Sequence, residues 1–421
     1  MKSMPVFDKQ MEMEPIGYLP IQKWFMAKTL PAANHFNHSF LIYVNEKTDK
    51  ERVQRALEKL NRRHSMLRAV YRDGKQYIRK ESPIAEIREL DIRGKKEDEI
   101  FHELTQWQSG FDTERGYIWQ CGILRGYADG SERIYLAFHH LVFDAASWPI
   151  IREELKALYE GREVENNCSS YPQWVEAVKE YGKTATAEER QYWLEWHRER
   201  KEHQQDEWQE LAEKDDRELR YSRVDFSAEI SRTLFQTKRS ARNTDINDVL
   251  LSGLSYALYE VSGKKQNWIT VEKDGRDKLD NHTDISRTVG WFTTLFPLCL
   301  SVGKDIDDTI ERNRNSQSRV RHKAIGYGAI HGYEQLPEIL FNYLEHVGGT
   351  EEKFWQIRMG ESSGESMNPD NRFGNIVEIN GLSREGKTGF GVESCLKEES
   401  HRLLCEAFKK NVEKITSYLN P

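Results

Sequence analysis

The sequence predicts a mixed α/β (α+β) protein built from two domains. Short apolar segments with the alternation of strands occur in both halves, and longer segments with apolar residues at helical spacing lie between them. The chain has 421 residues, which is too long for one ordinary hydrophobic core. Both halves also repeat one arrangement, in which an apolar strand ends in a group of polar side chains.

The central feature of the first half is the stretch RIYLAFHHLVFDAASWPIIREELKALYEG, residues 133–161. Its first six residues are largely apolar on both alternating faces, which predicts a strand buried on both sides. From Ser147 onward apolar residues recur at helical spacing as far as Gly161, a residue suited to ending a helix. Reacting groups are often placed in such a strand-to-helix connection, although polar loop residues and hydrogen-bonded core histidines are the alternative. The candidates in this connection are His139, His140 and Asp144.

The rest of the first half supplies further helices and strands. Residues 51–63 carry apolar side chains on one face and predict an amphipathic helix. The other predicted helices are one near 18–25 and one at 100–107. The predicted strands lie at the end of 34–44, at 66–71, at 76–79 after a turn at Gly74, and at 119–124.

A change in composition marks the boundary between the halves. Residues 171–196 carry aromatic and apolar residues at helical spacing, whereas residues 195–220 are almost wholly charged or polar, with alternating signs. Such a segment predicts a solvated helix or a linker. The predicted organisation is a first domain at residues 1–180, a charged linker or helix at 181–220 and a second domain at 221–421.

The second half repeats the mixture of patterns. Residues 245–261 predict a helix that begins at a cap on Asp245 or Thr244, and residues 399–419 predict a closing amphipathic helix. Two glycines flank Tyr327, which suggests a close approach of the backbone there. Extended segments are predicted at 222–226, 267–271, 289–300, 339–344, 376–380 and 390–395.

Composition excludes several classes of function. The formal net charge is −7, so no general affinity for nucleic acid is expected. The most apolar run, residues 289–302, is too short to span a membrane, and the N-terminus shows no apolar signal region. Five scattered cysteines without paired spacing suggest reduced thiols in a cytoplasmic protein and no zinc site. No nucleotide-binding motif is present.

Six short motifs follow one another along the chain. They are PIQKWF at 20–25, HHLVFDA at 139–145, DVLL at 248–251, RTVGWFTTLFP at 287–297, GYG at 326–328 and FNYL at 341–344. In this order they resemble the condensation-domain superfamily of nonribosomal peptide synthetases, and more narrowly its epimerization-domain branch. The resemblance covers nearly all of residues 18–395. The second motif corresponds to the HHxxxDG signature of the superfamily, and RTVGWFTTLFP is the most diagnostic of the branch.

The chain departs from the branch pattern at three positions. Ala145 replaces the usual Gly, Glu345 replaces the Gly after FNYL, and Asp274 replaces His in the motif EGHGRE, which here reads EKDGRD at 272–277. These changes leave a catalytically silent carrier-binding module as an alternative function.

The resemblance implies a fold and a place for the chemistry. It implies two chloramphenicol-acetyltransferase-like halves in a V-shaped pseudo-dimer, with an active-site tunnel at their junction. His140 from the first half and Glu272 from the second would face one another in that tunnel. His139 would be structural, because adjacent side chains diverge and only one of the two histidines can point into the tunnel.

The activity implied by the resemblance is epimerization of an aminoacyl or peptidyl thioester on the phosphopantetheine arm of a peptidyl carrier protein. His140 and Glu272 are the predicted proton-handling pair, in an order that the sequence leaves open. Asn342 and Tyr343 are candidate donors to the enolate oxygen, with core packing as the alternative for Tyr343. Further site residues are Asp144 and Arg276, which would pair across the two halves.

The implied partners are the carrier protein and other synthetase modules, and the chain is expected to be a monomer with no cofactor or metal of its own. Three rival functions remain. An amide-forming condensation enzyme would use the same His140, but the RTVGWF segment and Glu272 argue against it. The silent carrier-binding module is the second. A free-standing acyltransferase that uses a soluble thioester such as CoA is the third, although the sequence shows no basic cluster for the phosphates of such a thioester.

Overall fold

The computed structural model describes residues 13–82, 84–165, 167–202, 206–213, 219–236, 244–345, 354–358, 360–384 and 386–420. The helices and strands within these ranges are, in order, β1 (Met13–Ile16), α1 (Pro20–Ala27), β2 (Asn37–Val44), α2 (Lys50–Arg63), β3 (Ala69–Arg72), β4 (Lys75–Arg79), β5 (Arg88–Asp91), α3 (Glu97–Ser109), β6 (Trp119–Arg125), β7 (Glu132–His139), α4 (Ser147–Tyr159), α5 (Tyr171–Thr184), α6 (Ala187–Glu202), α7 (Asp206–Leu211), β8 (Arg220–Asp225), α8 (Ala228–Gln236), α9 (Ile246–Ser262), β9 (Gln266–Lys273), β10 (Thr294–Ser301), α10 (Ile306–Ser318), α11 (Ile325–His331), β11 (Ile339–Leu344), β12 (Gln356–Ile357), β13 (Val377–Arg384), β14 (Lys387–Ser394) and α12 (Glu398–Leu419). No helix in these ranges is long and apolar enough to cross a lipid bilayer.

The chain divides into two compact units that are not contiguous in sequence. Unit 1 consists of Met1–Tyr181, Arg276–Thr293 and Gly348–Phe373, and unit 2 consists of Gly182–Gly275, Thr294–Val347 and Gly374–Pro421. The sequence predicted that residues 221–421 form one contiguous domain. Two segments of that range, Arg276–Thr293 and Gly348–Phe373, belong to unit 1 instead. The physical reason is long-range bonding: β12 adds to a sheet of unit 1 through β2, and Arg276 pairs with Asp144.

Unit 1 contains two sheets. The larger has the strand order β12-β2-β7-β6-β5; its β5–β6 pair is parallel, and the other pairs are antiparallel. Strand β7 is central and every residue of it is buried, as its two apolar faces predict. The smaller sheet has the order β1-β4-β3.

Unit 2 is built on one mixed sheet with the order β10-β9-β11-β13-β14-β8. Strand β11 runs parallel to both of its neighbours, β9 and β13. Helix α9 starts at a capping box in which Asp245 accepts from the Asp248 backbone N–H, as the sequence predicts. It packs against α12, and Gly253 permits that contact, because a Cβ there would lie 2.4 Å from the Val412 side chain.

The charged segment at 181–220 is partly buried in unit 2. Residues 203–205 and 214–218 of it lie outside the described part of the chain. Helix α6 is polar in composition, but Trp193 packs edge-on against Tyr327 and Trp196 against Trp268. Two tryptophans three residues apart share one helix face, so this face joins the core of unit 2, while most of the charged residues of α6 stay outside the core.

Two local predictions differ from the structure and a third is confirmed. The predicted strand at 66–71 begins with a 3-10 turn at Ser65–Arg68 before β3. The predicted extended segment at 289–300 forms a strand only from Thr294 onward. The predicted backbone approach at Gly328 is confirmed, because a Cβ would lie 2.5 Å from the Tyr333 hydroxyl, but this glycine lies in helix α11.

Candidate functional site

The two adjacent histidines stand where β7 passes into a 3-10 turn, His140–Val142. The His139 backbone N–H donates to the Ile118 carbonyl at 2.7 Å, and the His140 N–H donates to the Phe36 carbonyl at 2.8 Å. These bonds go to opposite sides of β7, which is the alternation expected of a strand. The two side chains therefore enter different surroundings.

His139 is a buried and fully hydrogen-bonded side chain. Its Nδ1 accepts from the Leu141 backbone N–H at 3.1 Å, so its Nε2 carries the proton and donates to the Ala33 carbonyl at 2.9 Å. Burial lowers the pKa of His139 to about 4. A neutral ring with both nitrogens occupied supports the turn and has no nitrogen left for a substrate.

His140 is enclosed by aromatic rings. Its imidazole stacks on Phe36 with centroids 4.7 Å apart, and Trp291 covers it at 4.4 Å. Its Nε2 lies 2.9 Å from Nε2 of His38, and its Nδ1 is buried with no hydrogen-bond partner among the described residues. Burial, and secondly the neighbouring His38, hold the pKa of His140 well below its usual range. The ring is therefore neutral at pH 7.

Asp144 and Arg276 form a buried ion pair inside unit 1. The Arg276 Nη2 donates to Oδ1 of Asp144 at 3.1 Å, and the guanidinium lies 4.0 Å from the Phe292 ring centroid. Asp144 also accepts from the Ser147 N–H and hydroxyl at 2.9 and 2.7 Å and from the Phe292 N–H at 3.1 Å. The sequence predicted this pair across two halves, whereas both residues belong to unit 1.

This ion pair holds the segment that carries Trp291. The Gly290 backbone N–H donates to the Ser147 hydroxyl oxygen at 3.3 Å, and the Tyr171 hydroxyl donates to the Trp291 carbonyl at 3.0 Å. A side chain at Gly290 would collide with Tyr171, whose ring lies 2.4 Å from the position of a Cβ. The start of the RTVGWF segment is also tied to α4, because Arg287 pairs with Glu154 at 3.2 Å. The segment therefore places an indole against His140.

Glu272 belongs to unit 2, where it lies in β9 opposite Leu295 of β10. Burial raises the pKa of Tyr333, and the negative charge of Glu272 raises it further by a smaller amount. Asp274, which replaces the histidine of the branch pattern, pairs with Lys323 through an Nζ–Oδ1 distance of 2.7 Å. The Lys323 ammonium therefore offsets part of the negative charge of Asp274.

Asn342 and Tyr343 are adjacent in β11, so their side chains point to opposite faces of the sheet of unit 2. The Tyr343 ring stacks on Phe390 at 5.9 Å, and its hydroxyl is 2.6 Å from the Ser383 Oγ. Burial raises the pKa of Tyr343 to about 12. These contacts favour the packing alternative for Tyr343 and leave Asn342 as the candidate donor of this motif.

A substitution at Tyr343 separates packing from catalysis. Tyr343→Phe keeps the contact with Phe390 and removes one buried hydrogen bond, so we expect a loss of about 1 kcal/mol in the free energy of unfolding and no change in turnover. Chemical denaturation and activity assays measure the two effects. The exposed Tyr259→Phe serves as the matched control. A tenfold lower turnover in Tyr343→Phe, with no loss in Tyr259→Phe, would show that the Tyr343 hydroxyl takes part in the reaction.

The structure therefore sorts the predicted site residues by unit. His139, His140, Asp144 and Arg276 come together in unit 1, and Glu272, Asn342 and Tyr343 belong to unit 2. Sequence reasoning missed three side chains around His140. Trp291 lies within a recognised motif, which was a usable signal. His38 lies in β2 and Phe36 immediately precedes that strand, whose sequence pattern shows only burial.

Comparison with known proteins identifies the family. A model described as a condensation domain matches residues 15–375. The N-(5-amino-5-carboxypentanoyl)-L-cysteinyl-D-valine synthase of Amycolatopsis lactamdurans is 32% identical over 409 residues, which cover 95% of this chain and 11% of that protein. Surfactin synthase subunit 1 of Bacillus subtilis (strain 168) is 29% identical over 407 residues, which cover 87% of this chain and 11% of that protein. The chain thus spans about a tenth of the length of these relatives.

Solved structures show the same fold. The epimerization domain from the third module of tyrocidine synthetase B aligns with a TM-score of 0.81 at 23% identity over 98% of both chains. The first condensation domain of the calcium-dependent antibiotic synthetase aligns with a TM-score of 0.68 at 16% identity over 96% of this chain and 97% of that one. The predicted fold class, a mixed α/β fold of this superfamily, is confirmed. The chain belongs to the condensation-domain family.

Proposed function

We propose that this chain inverts the α-carbon of an aminoacyl or peptidyl thioester that a peptidyl carrier protein presents on its phosphopantetheine arm. The observation that carries the proposal is the state of His140. Its imidazole is neutral at pH 7, packs against Phe36 and Trp291, and has a buried Nδ1 without a hydrogen-bond partner among the described residues. A neutral, desolvated imidazole is suited to taking a proton from carbon.

The proposed reaction is a balanced pair of proton transfers. His140 takes the α-proton as the C–H bond breaks, and the electron pair moves onto the thioester carbonyl to form an enolate. The second group, Glu272, returns a proton to the other face of the α-carbon, and the carbonyl re-forms. The roles exchange when the reaction runs in reverse. Asn342 is the proposed donor to the enolate oxygen, where negative charge develops.

Two similarities support inversion over other reactions of the family. The best-aligned structure described above is an epimerization domain, and the name of the Amycolatopsis relative contains a D-valine unit. The relatives are about nine times longer than this chain, so we further propose that it works with a carrier protein and other synthetase modules. No cofactor enters the proposed steps, because the thioester itself acidifies the α-proton.

Amide-forming condensation is the second candidate, and one observation favours it. The matching family model is that of the condensation domain, and the neutral His140 is suited to accepting a proton from an attacking amine as well. Condensation joins a donor thioester to an acceptor amine, and it needs no second acid on the opposite face of an α-carbon. The two functions therefore differ in their dependence on Glu272.

One assay separates the candidates. The chain is incubated in deuterated water with carrier proteins that bear L-aminoacyl thioesters, and the released amino acid is analysed for chirality and for deuterium at the α-carbon. Inversion with deuterium uptake supports epimerization. Peptide formation from paired donor and acceptor carriers, without exchange, establishes condensation instead. Absence of both reactions with every carrier supports the silent carrier-binding module.

Replacement of Glu272 tests the two-sided mechanism. We expect Glu272→Gln to block conversion of an L-thioester into the mixed product, since the amide cannot return a proton, while one-sided exchange through His140 continues. Chirality and deuterium content of the released amino acid are the measurements. Asp274→Asn is the matched control, because it alters a carboxylate two residues away whose charge is already paired with Lys323. Racemisation by Glu272→Gln at the parent rate would remove Glu272 from the mechanism.

A further inference from the structure

His38 is the one described polar side chain within hydrogen-bond distance of His140. It lies in β2, and its Cα is paired with that of Phe138 in β7, two residues before His140. The two imidazole centroids are 4.1 Å apart, and their Nε2 atoms are 2.9 Å apart. Both histidines belong to unit 1.

Proton counting constrains this contact. Two imidazole nitrogens at 2.9 Å need one proton between them, because two lone pairs or two N–H groups facing each other would repel. A neutral pair therefore shares one proton along the Nε2–Nε2 line, and this contact fixes the nitrogen of His140 that faces His38. Without it, the imidazole could rotate or exchange its tautomer.

We propose that His38 is a positioning residue for His140, which holds the His140 imidazole in one orientation and one protonation pattern through the shared Nε2–Nε2 proton. The surroundings of His38 are built for this task. Trp148 from α4 packs edge-on against the His38 ring at 5.6 Å, and Phe143 lies at 6.3 Å. Phe36 and Trp291 pack against the His140 ring and restrict its tilt, and His38 contacts its Nε2.

The charges around the pair agree with this role. The titratable groups that face His140 are His38, His139 and Asp144. Burial lowers the pKa of His38 to about 4, so His38 is neutral at pH 7. A neutral His38 can share a proton with His140. A positive charge on His38 would oppose protonation of His140. Removing His38 should therefore raise the pKa of His140 from its depressed value.

Two variants of His38 separate hydrogen bonding from packing. His38→Phe keeps an aromatic ring against Trp148 but removes the nitrogen that faces His140. His38→Gln keeps a group that can donate or accept at a similar distance. His102→Gln is the control, since His102 is an exposed residue of α3. Thermal melting of each variant shows whether the fold is kept.

The first readout is nuclear magnetic resonance of the full chain with 15N-labelled histidines, and it needs no substrate. The His140 signals are assigned by their loss in His140→Gln. We expect the parent to show one tautomer of His140 that stays neutral from pH 8 to pH 6. In His38→Phe we expect averaged tautomer signals and a midpoint of titration closer to 6.5, and in His38→Gln a return towards the parent. Unchanged His140 signals in His38→Phe would overturn the proposal.

The second readout rests on the proposed function. We expect His38→Phe to lower kcat for α-proton exchange by roughly 10²-fold, the effect of misplacing a catalytic group, with KM unchanged and with the acid limb of the pH profile shifted upward. His38→Gln should recover most of the rate. A rise in KM alone would contradict a positioning role.

If the parent shows no activity on any carrier, the proposed function fails, and the resonance experiment still decides the role of His38. If His38→Phe does not fold, the tautomer and titration of His140 in His38→Gln are compared with the parent, and a disordered ring there overturns the proposal.

Discussion

His140→Ala is expected to abolish α-proton exchange and inversion while the chain stays folded. A positioned general base contributes about 10²- to 10⁴-fold to a proton transfer, and the adjacent His139 cannot replace it, because both of its nitrogens are already bonded. The measurement is the rate of deuterium incorporation into the carrier-bound amino acid. His102→Ala, at the exposed position in α3, controls for the loss of an imidazole.

The pH profile of the parent provides a second test of His140. Because burial holds the pKa of its folded-state imidazole well below 6.5, the base remains neutral as the pH falls from 8 to 6.5. We therefore expect the acid limb of kcat/KM below pH 6.5, and not at the value of a free histidine. An acid limb at or above pH 7, or near-parent turnover in His140→Ala, would assign the base to another residue.

The sequence alone predicted the connection that carries His140, and local physics explains why. A strand buried on both faces and a helix with one apolar face have different periods, so the change of period between Phe138 and Ser147 marks a loop. The structure places a 3-10 turn there and starts α4 at Ser147. The sequence also predicted that the side chains of His139 and His140 point in different directions, because side chains alternate along a strand.

The partners of His140 were not predictable in the same way. His38 is separated from it by 102 residues, and the pattern of β2 reports burial without showing which strand lies beside it. Trp291 approaches His140 only because Arg276–Thr293 folds into unit 1. Contacts of this kind depend on strand order and on long-range ion pairs, which periodicity in one segment does not contain. The packing contacts of Tyr343 were unpredictable for the same reason, since Phe390 and Ser383 come from other strands.

The buried pair of Asp144 and Arg276 is expected to give the largest effect on stability. Their side chains are 6% and 11% exposed, so removal of one partner leaves the other charge in a poorly solvated site, at a cost of about 3–5 kcal/mol. Asp144→Ala should be the more damaging change, because it also removes the acceptor of the Phe292 N–H and an acceptor of the Ser147 hydroxyl. Arg276→Ala leaves those bonds to Asp144 intact.

A double-mutant cycle tests whether the two residues act together. The loss in Asp144→Ala/Arg276→Ala should be smaller than the sum of the single losses by about 0.5–3 kcal/mol, as measured by chemical denaturation. The Asp274–Lys323 pair of unit 2 is the matched control. Its side chains are 43% and 41% exposed, and an exposed pair contributes about 0–1 kcal/mol. The buried pair also holds the segment of Trp291, which shields His140 from solvent. Each single variant should therefore weaken this shielding and move the midpoint of the His140 titration towards 6.5. Additive losses in the buried cycle, or equal coupling in both cycles, would show that burial of the Asp144–Arg276 pair does not stabilise unit 1.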